Sequence, residues 1–341
     1  LGTASAAVAQ GPHFQHKDWE VVCDNTGTCR AVGYYCMDCV TPETYETAPI
    51  SLKLTRDAGA HAPIRAMVRI WEFDPSEPDT DRPKLTLYID NERIEDIPIL
   101  GADAIGTLSK QAVTHVVHAL RGSTDITFRN GPFTRHLSDA GSAAALLFMD
   151  EYQGRLGTVD AAIRVGRAPS AQAFPSTPAP LIIPKPVTPN RDDDPALFEQ
   201  VIAAITPQID AHLKQGDQCH RYFQSQKDGK PMLHMQRLSD DTLLLGVPCW
   251  LAAYNAGQAY FTVSDRPPYD FQRITLNASD YRTGTIYEIH KGRGLGDCWS
   301  GLEYIWDGTT FALSSGWTTG RCAGFAGGTW HLPTYVSRSQ P

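Results

Sequence analysis

The chain predicts a mainly β protein with a few helices, arranged as two antiparallel β-sandwich or barrel-like domains joined by a Pro-rich linker. Three observations carry this. Short runs that alternate apolar and polar residues, bounded by Gly, Asn and Asp, dominate both halves. Eight cysteines fall four to each half, mostly at strand-type positions. Between the halves, seven prolines crowd the stretch from Pro169 to Pro189 among small residues, a composition that gives a semi-rigid extended segment. At 341 residues, each half is long enough for a core of its own. The expected layout is a flexible N-terminus over 1–17, a first domain over 18–167, the linker over 168–190 and a second domain over 191–337.

In chain order, Leu1 to Gln10 is small and apolar and ends in Ala7-Val8-Ala9, the pattern of a secretory-signal tail with an Ala-x-Ala cleavage site. Residues 18–35 read as a hairpin. Trp19, Val21 and Cys23 alternate, and Asn25-Thr26-Gly27 is a three-residue loop with glycine where positive φ is needed. That register sets Cys23 opposite Cys29, where a cross-strand bridge fits. Cys36-Met-Asp-Cys39 follows. Redox catalysis needs such a pair at a helix N-terminus, which lowers the thiol pKa. Here Pro42 comes just after and Asp38 raises a thiol pKa, so a structural disulfide is expected. Strands are expected at 51–56, 64–73 and 84–92. The acidic stretch Asp74 to Asp81 has no calcium-loop spacing and reads as a solvated loop. A helix is expected over 108–120, with Leu108, Ala112 and Val116 on one stripe and Gly122 beyond its end. His115 and His118 have a chelating spacing on it, without the Glu-x-x-His context of a metal helix. Strands at 124–129 and 132–137 and a helix at 139–153 close the first domain.

The second half opens on a helix. Asp194 is a good N-cap, Pro195 fits the first helical position and Gly216 lies past the end. Leu197, Val201, Ile205, Ile209 and Leu213 form its buried stripe, and Pro207 is expected to kink or split it. Asp192 to Asp194 complement the helix dipole. From there the pattern is β to the end, with strands near 231–237, 242–252, 258–264, 271–277, 284–290, 301–306 and 310–317. Five of the seven tryptophans lie in this half. In a sheet they are expected mainly in the core, with a sugar-stacking platform as the alternative.

The most unusual stretch is His290 to Asp307. Gly292, Gly294 and Gly296 alternate with Arg293 and Leu295 and run into Cys298 and Trp299. A dinucleotide fingerprint would open a helix after its glycines. Here Leu302, Tyr304 and Trp306 share one face of a strand, and Asp307-Gly308 signals a hairpin turn. The glycines are expected to permit positive φ at several points. Such a loop either makes a tight crossing beside a disulfide or forms an anion-holding nest. On the second reading the ligand-binding candidates are Lys291, Arg293, Gly294, Asp297 and Trp299. As catalytic carboxylates, Asp297, Glu303 and Asp307 are loose candidates, since glycosidic chemistry needs two such groups about 5–10 Å apart across a cleft. No Gly-x-Ser-x-Gly elbow and no His-Glu-x-x-His helix occurs. No metal and no cofactor is expected.

The run Lys291-Gly-Arg-Gly-Leu-Gly-Asp-Cys298, followed by Trp306-Asp307-Gly308, Cys322 and Trp330, resembles domain-of-unknown-function family 1176, bacterial proteins of similar length with six characteristic cysteines. Asp18-Trp19-Glu-Val-Val-Cys23-Asp24-Asn25, with Cys29 after it, is similar to the opening of invasion-associated locus B proteins, which are small secreted β-domains. Neither resemblance implies an activity. Cys36 and Cys39 look like additions to the six-cysteine pattern.

Bridges within domains are expected: Cys23–Cys29, Cys36–Cys39, Cys219–Cys249 by elimination, and Cys298–Cys322. A net charge of −8 argues against a nucleic-acid partner, and no apolar run reaches membrane-spanning length. The expected location is periplasmic or secreted. Two functional classes stay open. One is a non-catalytic envelope module that binds a protein, glycan or cell-wall ligand. The other is a periplasmic hydrolase of carbohydrate or peptidoglycan.

Overall fold

The computed structural model describes residues 10–39, 49–71, 84–101, 103–131, 133–214, 219–229 and 232–339. The Ala7-Val8-Ala9 terminus, Pro42, the acidic stretch Asp74–Asp81 and Gly216 lie outside them. The chain sorts into two compact units. Unit 1 comprises Leu1–Ala179, Leu295–Cys298 and Trp317–Val336, and unit 2 comprises Pro180–Gly294, Trp299–Gly316 and Ser337–Pro341.

Unit 1 is built on one antiparallel sheet of ten strands. These are β1 (His13–His16), β2 (Trp19–Cys23), β3 (Cys29–Tyr34), β4 (Ile50–Arg56), β5 (Arg65–Ile70), β6 (Lys84–Ile89), β7 (Glu92–Leu100), β8 (Ile105–Thr107), β9 (Ile126–Asn130) and β10 (Phe133–Leu137). Their order is β1-β2-β3-β4-β5-β8-β7-β6-β9-β10. The strand β7 makes this one ladder instead of two sheets. Its Glu92–Pro98 part pairs with β6, and Ile99 and Leu100 pair with β8. The ladder folds back so that β10 lies against β4.

Local chemistry explains the hairpins. Cys23 stands opposite Cys29 in the β2–β3 register, and Gly27 takes φ 85° in the turn. One strand expectation needs correcting: the run 84–92 is not continuous. Asp90 and Asn91 both take left-handed φ, 49° and 65°, so they turn the chain into β7. Asp and Asn tolerate that region better than other non-glycine residues, and a two-residue turn of this hand matches the strand twist.

Helix α1 (Lys110–Ala119) starts where the Ser109 hydroxyl accepts from the Ala112 amide, and it buries Ala112, Val113, Val116, Val117 and Ala119. Helix α2 (Ser142–Tyr152) buries Ala145, Leu146 and Met149. Both pack into one core with Trp19, Leu52, Leu54 and Phe128. The C-terminal segment of unit 1 joins the same core through Ala323, Phe325, Trp330 and Leu332. Several of its polar contacts reach the β2–β5 ladder. Trp330 Nε1 donates to Ser51 Oγ at 2.8 Å, Arg69 donates to the Gly328 and Thr329 carbonyls, and the Arg321 amide donates to Glu20 at 2.9 Å.

Unit 2 has three layers. The short strand β11 (Leu181–Ile182) precedes α3 (Asp194–Lys214) and α4 (His220–Lys227). A four-stranded sheet follows, β12 (His234–Arg237), β13 (Thr242–Leu251), β14 (Ala256–Ser264) and β15 (Phe271–Ala278), in that order. Then β16 (Asp280–Arg282), β17 (Thr285–Lys291), β18 (Trp299–Trp306) and β19 (Phe311–Thr318) lie side by side in a second sheet. In chain order the unit 1 strand Leu332–Val336 is β20, and β21 (Arg338–Ser339) pairs in parallel with β11. The two-residue period of β13 sorts its side chains between layers. Leu243, Leu245, Val247 and Cys249 pack with Val201, Ile205 and Ile209 of α3, whereas Leu244 packs with Ile286, Trp306 and Phe311 of the second sheet.

Two helix expectations change. α3 is continuous through Pro207, where the Thr206 hydroxyl donates to the Ile202 carbonyl one turn back. Helix α4 falls in a stretch expected to be β. It is held by the Cys219–Cys249 bridge and by the Tyr222 hydroxyl donating to Asp210 of α3 at 2.8 Å. Asp194 does more than start α3. It is fully buried and receives a two-pronged ion pair from Arg237, whose guanidinium also reaches Asp265.

Candidate functional site

The four cysteine pairs at disulfide distance are Cys23–Cys29, Cys36–Cys39, Cys219–Cys249 and Cys298–Cys322. Each lies within one unit. The remaining candidate residues are divided between the units: Asp297 belongs to unit 1, and Lys291, Arg293, Gly294, Trp299, Glu303 and Asp307 belong to unit 2.

Asp297 is completely buried, and its carboxylate accepts the Gly324 amide at 2.7 Å. Among the described residues it is also the one carboxylate grouped with cysteines closely enough to suggest a metal, beside Cys298 and Cys322. Those two sulfurs are joined to each other, which removes them as metal donors. Asp307 holds its own hairpin turn. One carboxylate oxygen accepts the Thr309 and Thr310 amides, each at 2.8 Å. Glu303 sits mid-strand opposite Tyr287, on the face of β18 away from Leu302 and Tyr304.

The glycine loop is less permissive than its composition suggests. Of Gly292, Gly294 and Gly296, only Gly296 takes positive φ, at 71°. Gly294 serves close approach instead. A Cβ there would stand 2.9 Å from the Tyr254 ring, so the ring lies on the bare backbone. Tyr254 itself is 56 % exposed. Around it, Asn255 clamps Lys291 by donating to its carbonyl and accepting its amide, both at 2.9 Å. The Lys291 ammonium lies 5.1 Å from the Trp299 ring centre, and Trp250 packs against His290 with ring centres 5.3 Å apart. The result is an edge of unit 2 that presents aromatic rings and a lysine together.

A second feature of unit 2 escaped sequence reasoning. A cavity of about 530 Å³ opens beside β15, lined by His212, Arg273, Thr275, Asn277, Glu288 and Tyr304, among others. Its carboxylate is Glu288, which pairs with Leu302 in the β17–β18 register and so faces the cavity that Glu303 misses. The Thr275 hydroxyl donates to Glu288. Burial, then the Glu288 charge and its hydrogen bond, push the Tyr304 phenol well above its ordinary pKa, so it stays protonated. Burial and the nearby Arg273 guanidinium hold His212 below its ordinary value. The polar residues Arg273, Thr275 and Asn277 of β15 were visible in the sequence, but the pairing with β14 is irregular between Arg273 and Thr275, and nothing in the sequence placed Glu288 beside Thr275.

In unit 1, His115 and His118 line a separate cavity of about 560 Å³ with Asp90 and Glu92. Among the described residues these side chains are not grouped closely enough to share a metal ion. No helix among the described residues is long and apolar enough to cross a membrane.

No solved structure matches this chain. The chain is 26% identical over 326 residues to the uncharacterized protein YpfG of Escherichia coli (strain K12), an alignment covering 87% of this chain and 84% of that protein. A family described as a protein of unknown function (DUF1176) matches residues 13–337, and the chain belongs to that family.

Proposed function

We propose that the protein is an exported envelope component that acts as a binding module, with a glycan or wall-derived ligand taken at the Tyr254–Lys291–Trp299 edge of unit 2. The observation that carries the reading is the seating of Tyr254. A largely exposed ring is laid on Gly294, beside a lysine stacked on Trp299. Aromatic faces with an adjacent cation suit sugar rings that carry acidic groups. Among the described residues no cysteine is free, which supports an oxidising, non-cytoplasmic setting. The periplasm, a secretory leader ending at Ala7-Val8-Ala9, and an N-terminal region of the invasion-associated locus B type belong to this proposal. So does the role of 168–190 as the boundary segment between two domains. A hydrolase centred on Asp297, Glu303 and Asp307 has less support, because the Asp297 and Asp307 carboxylates are engaged by backbone amides.

Calorimetric titration with soluble peptidoglycan fragments and acidic oligosaccharides tests the reading. Binding is expected in the wild type. Tyr254→Ala, and separately the pair Lys291→Ala with Arg293→Ala, should abolish it while the melting temperature stays almost unmoved, as for ordinary surface changes. Wild-type protein that takes up none of these ligands, or variants that bind as the wild type does, would reject the site.

A further inference from the structure

The four bridges differ in how far a reagent can reach them. Cys23, Cys29, Cys219, Cys249 and Cys298 are buried, and Cys322 is half-buried. Cys39 alone of the eight cysteines is exposed, with Cys36 half-buried as its partner. Thiol–disulfide exchange requires a thiolate to reach one sulfur of a bridge, so access ranks the Cys36–Cys39 pair first.

The fold also has the least need of this bridge. Cys23–Cys29 ties β2 to β3, and Cys219–Cys249 ties the start of α4 to β13. These two and Cys298–Cys322 close separations of 6, 30 and 24 residues, whereas Cys36–Cys39 closes one of 3. The stabilisation from a bridge grows with the loop that it closes, so this one contributes least. Its turn is also closed without it. The Cys39 amide donates to the Cys36 carbonyl at 3.2 Å, and Met37 between them packs against the unit 1 core.

The pair stands in a single 3-10 turn, Met37–Cys39, beside Asp38. Neither feature lowers a thiol pKa, so the pair is not suited to attack other bridges. Being attacked is a different role. It depends on an accessible sulfur and on the acidity of the incoming thiol.

We propose that Cys36–Cys39 is a thiol–disulfide exchange site that takes two electrons from a protein dithiol, while the other three bridges stay closed. The partner's thiolate sulfur bonds to Cys39 Sγ, the bond between Cys39 and Cys36 breaks, and Cys36 leaves as a thiolate. The partner's second thiolate then attacks its own sulfur in the mixed disulfide, and Cys39 leaves. The partner ends as a disulfide. Cys36 and Cys39 end as thiols, each taking up a proton that a partner thiol released.

The test uses the full oxidised chain. It is incubated with reduced thioredoxin, or with dithiothreitol at equal thiol concentration, then alkylated and mapped by mass spectrometry. Thioredoxin is expected to open Cys36–Cys39 about tenfold faster than any other bridge, and faster than dithiothreitol opens it. A thioredoxin whose second cysteine is replaced by serine should stop at a mixed disulfide on Cys39. Cys36→Ser with Cys39→Ser should leave the melting temperature almost unmoved, whereas Cys298→Ser with Cys322→Ser should lower it clearly. The proposal fails if thioredoxin opens no bridge, or opens Cys36–Cys39 no faster than the others or than dithiothreitol does. It fails equally if the mixed disulfide forms on Cys36, or if losing the Cys36–Cys39 bridge lowers the melting temperature as much as losing Cys298–Cys322.

Discussion

The two units bury ionisable groups in different ways. In unit 1 one buried cluster of charges is matched. Arg56 reaches Asp150 at 3.5 Å and Asp160 at 3.0 Å, and Arg155 reaches Asp160 at 2.9 Å, in a network spanning β4, α2 and the loop after it. Burial, and then the like charge of Arg155, push Arg56 down to about 10 even so. In unit 2 the Arg237–Asp194–Asp265 group follows the same rule, whereas the buried Glu288 is met by the Thr275 hydroxyl instead of a cation. Matched buried charges are explained by the fold alone. A carboxylate buried beside a cavity without a cation, as Glu288 is, is a less common arrangement.

The units also differ in how the chain completes them. Unit 1 draws core residues, Ala323 to Leu332, from a segment more than a hundred residues beyond Ala179, where its main stretch ends. Unit 2 gets its helices, its four-stranded sheet and the Cys219–Cys249 bridge from one continuous stretch. The sharpest way to break this contrast is a pair of core changes read by hydrogen exchange. Phe325→Ala should cost unit 1 about 3–5 kcal/mol. Protection should fall in peptides covering Ile50–Arg56, far away in sequence, and hold in Thr242–Leu251. Arg237→Ala should do the reverse at similar cost, about 3–5 kcal/mol, because it strands two buried carboxylates. Loss of protection confined to 317–336 in the first variant would show that this segment is not part of the unit 1 core.

Limited proteolysis sharpens the same point. The proline-rich segment is mostly exposed and carries little regular structure, so the first cut is expected within 168–190. The two fragments should then co-elute in native gel filtration, because the second carries part of unit 1's core, and part only in denaturant. Fragments that separate without denaturant would favour contiguous, independent domains.

The smallest effect expected is in pH dependence, with opposite signs at two histidines. In unit 1 the bond to Glu20 raises the His13 pKa. Its stabilising contribution is therefore full below about 6.5 and is lost as pH rises through the higher folded value. In unit 2 burial, helped by Arg273, lowers the His212 pKa. Its unfolded form binds the proton more readily, so stability is full above about 6.5 and falls as pH drops toward the folded value. His13→Gln should thus lower the melting temperature more at pH 5.5 than at pH 8.5. His212→Gln should flatten the loss of unit 2 protection on acidification. Equal shifts at both pH values would remove either assignment.

Periodicity alone determined the longer strands of unit 2 and the α3 stripe, though not the short β11, β16 and β21, and spacing determined the Cys23–Cys29 register. All of these depend on neighbours a few residues away. The sequence also marked Gly294 and Lys291 as unusual, without saying that Tyr254 would lie on that glycine. Helix α4 was hidden because its hold is tertiary, a bridge to β13 and a hydroxyl on α3. The same applies to the carboxylates. Asp297 and Asp307 stood out by their glycine and cysteine neighbours, yet backbone amides absorb both. Glu288 had no distinctive neighbours in sequence. Only the stacking of β15 against β17 sets its charge in a cavity with Arg273, and that pairing of sheets depends on the burial of residues remote in the chain, which no local pattern encodes.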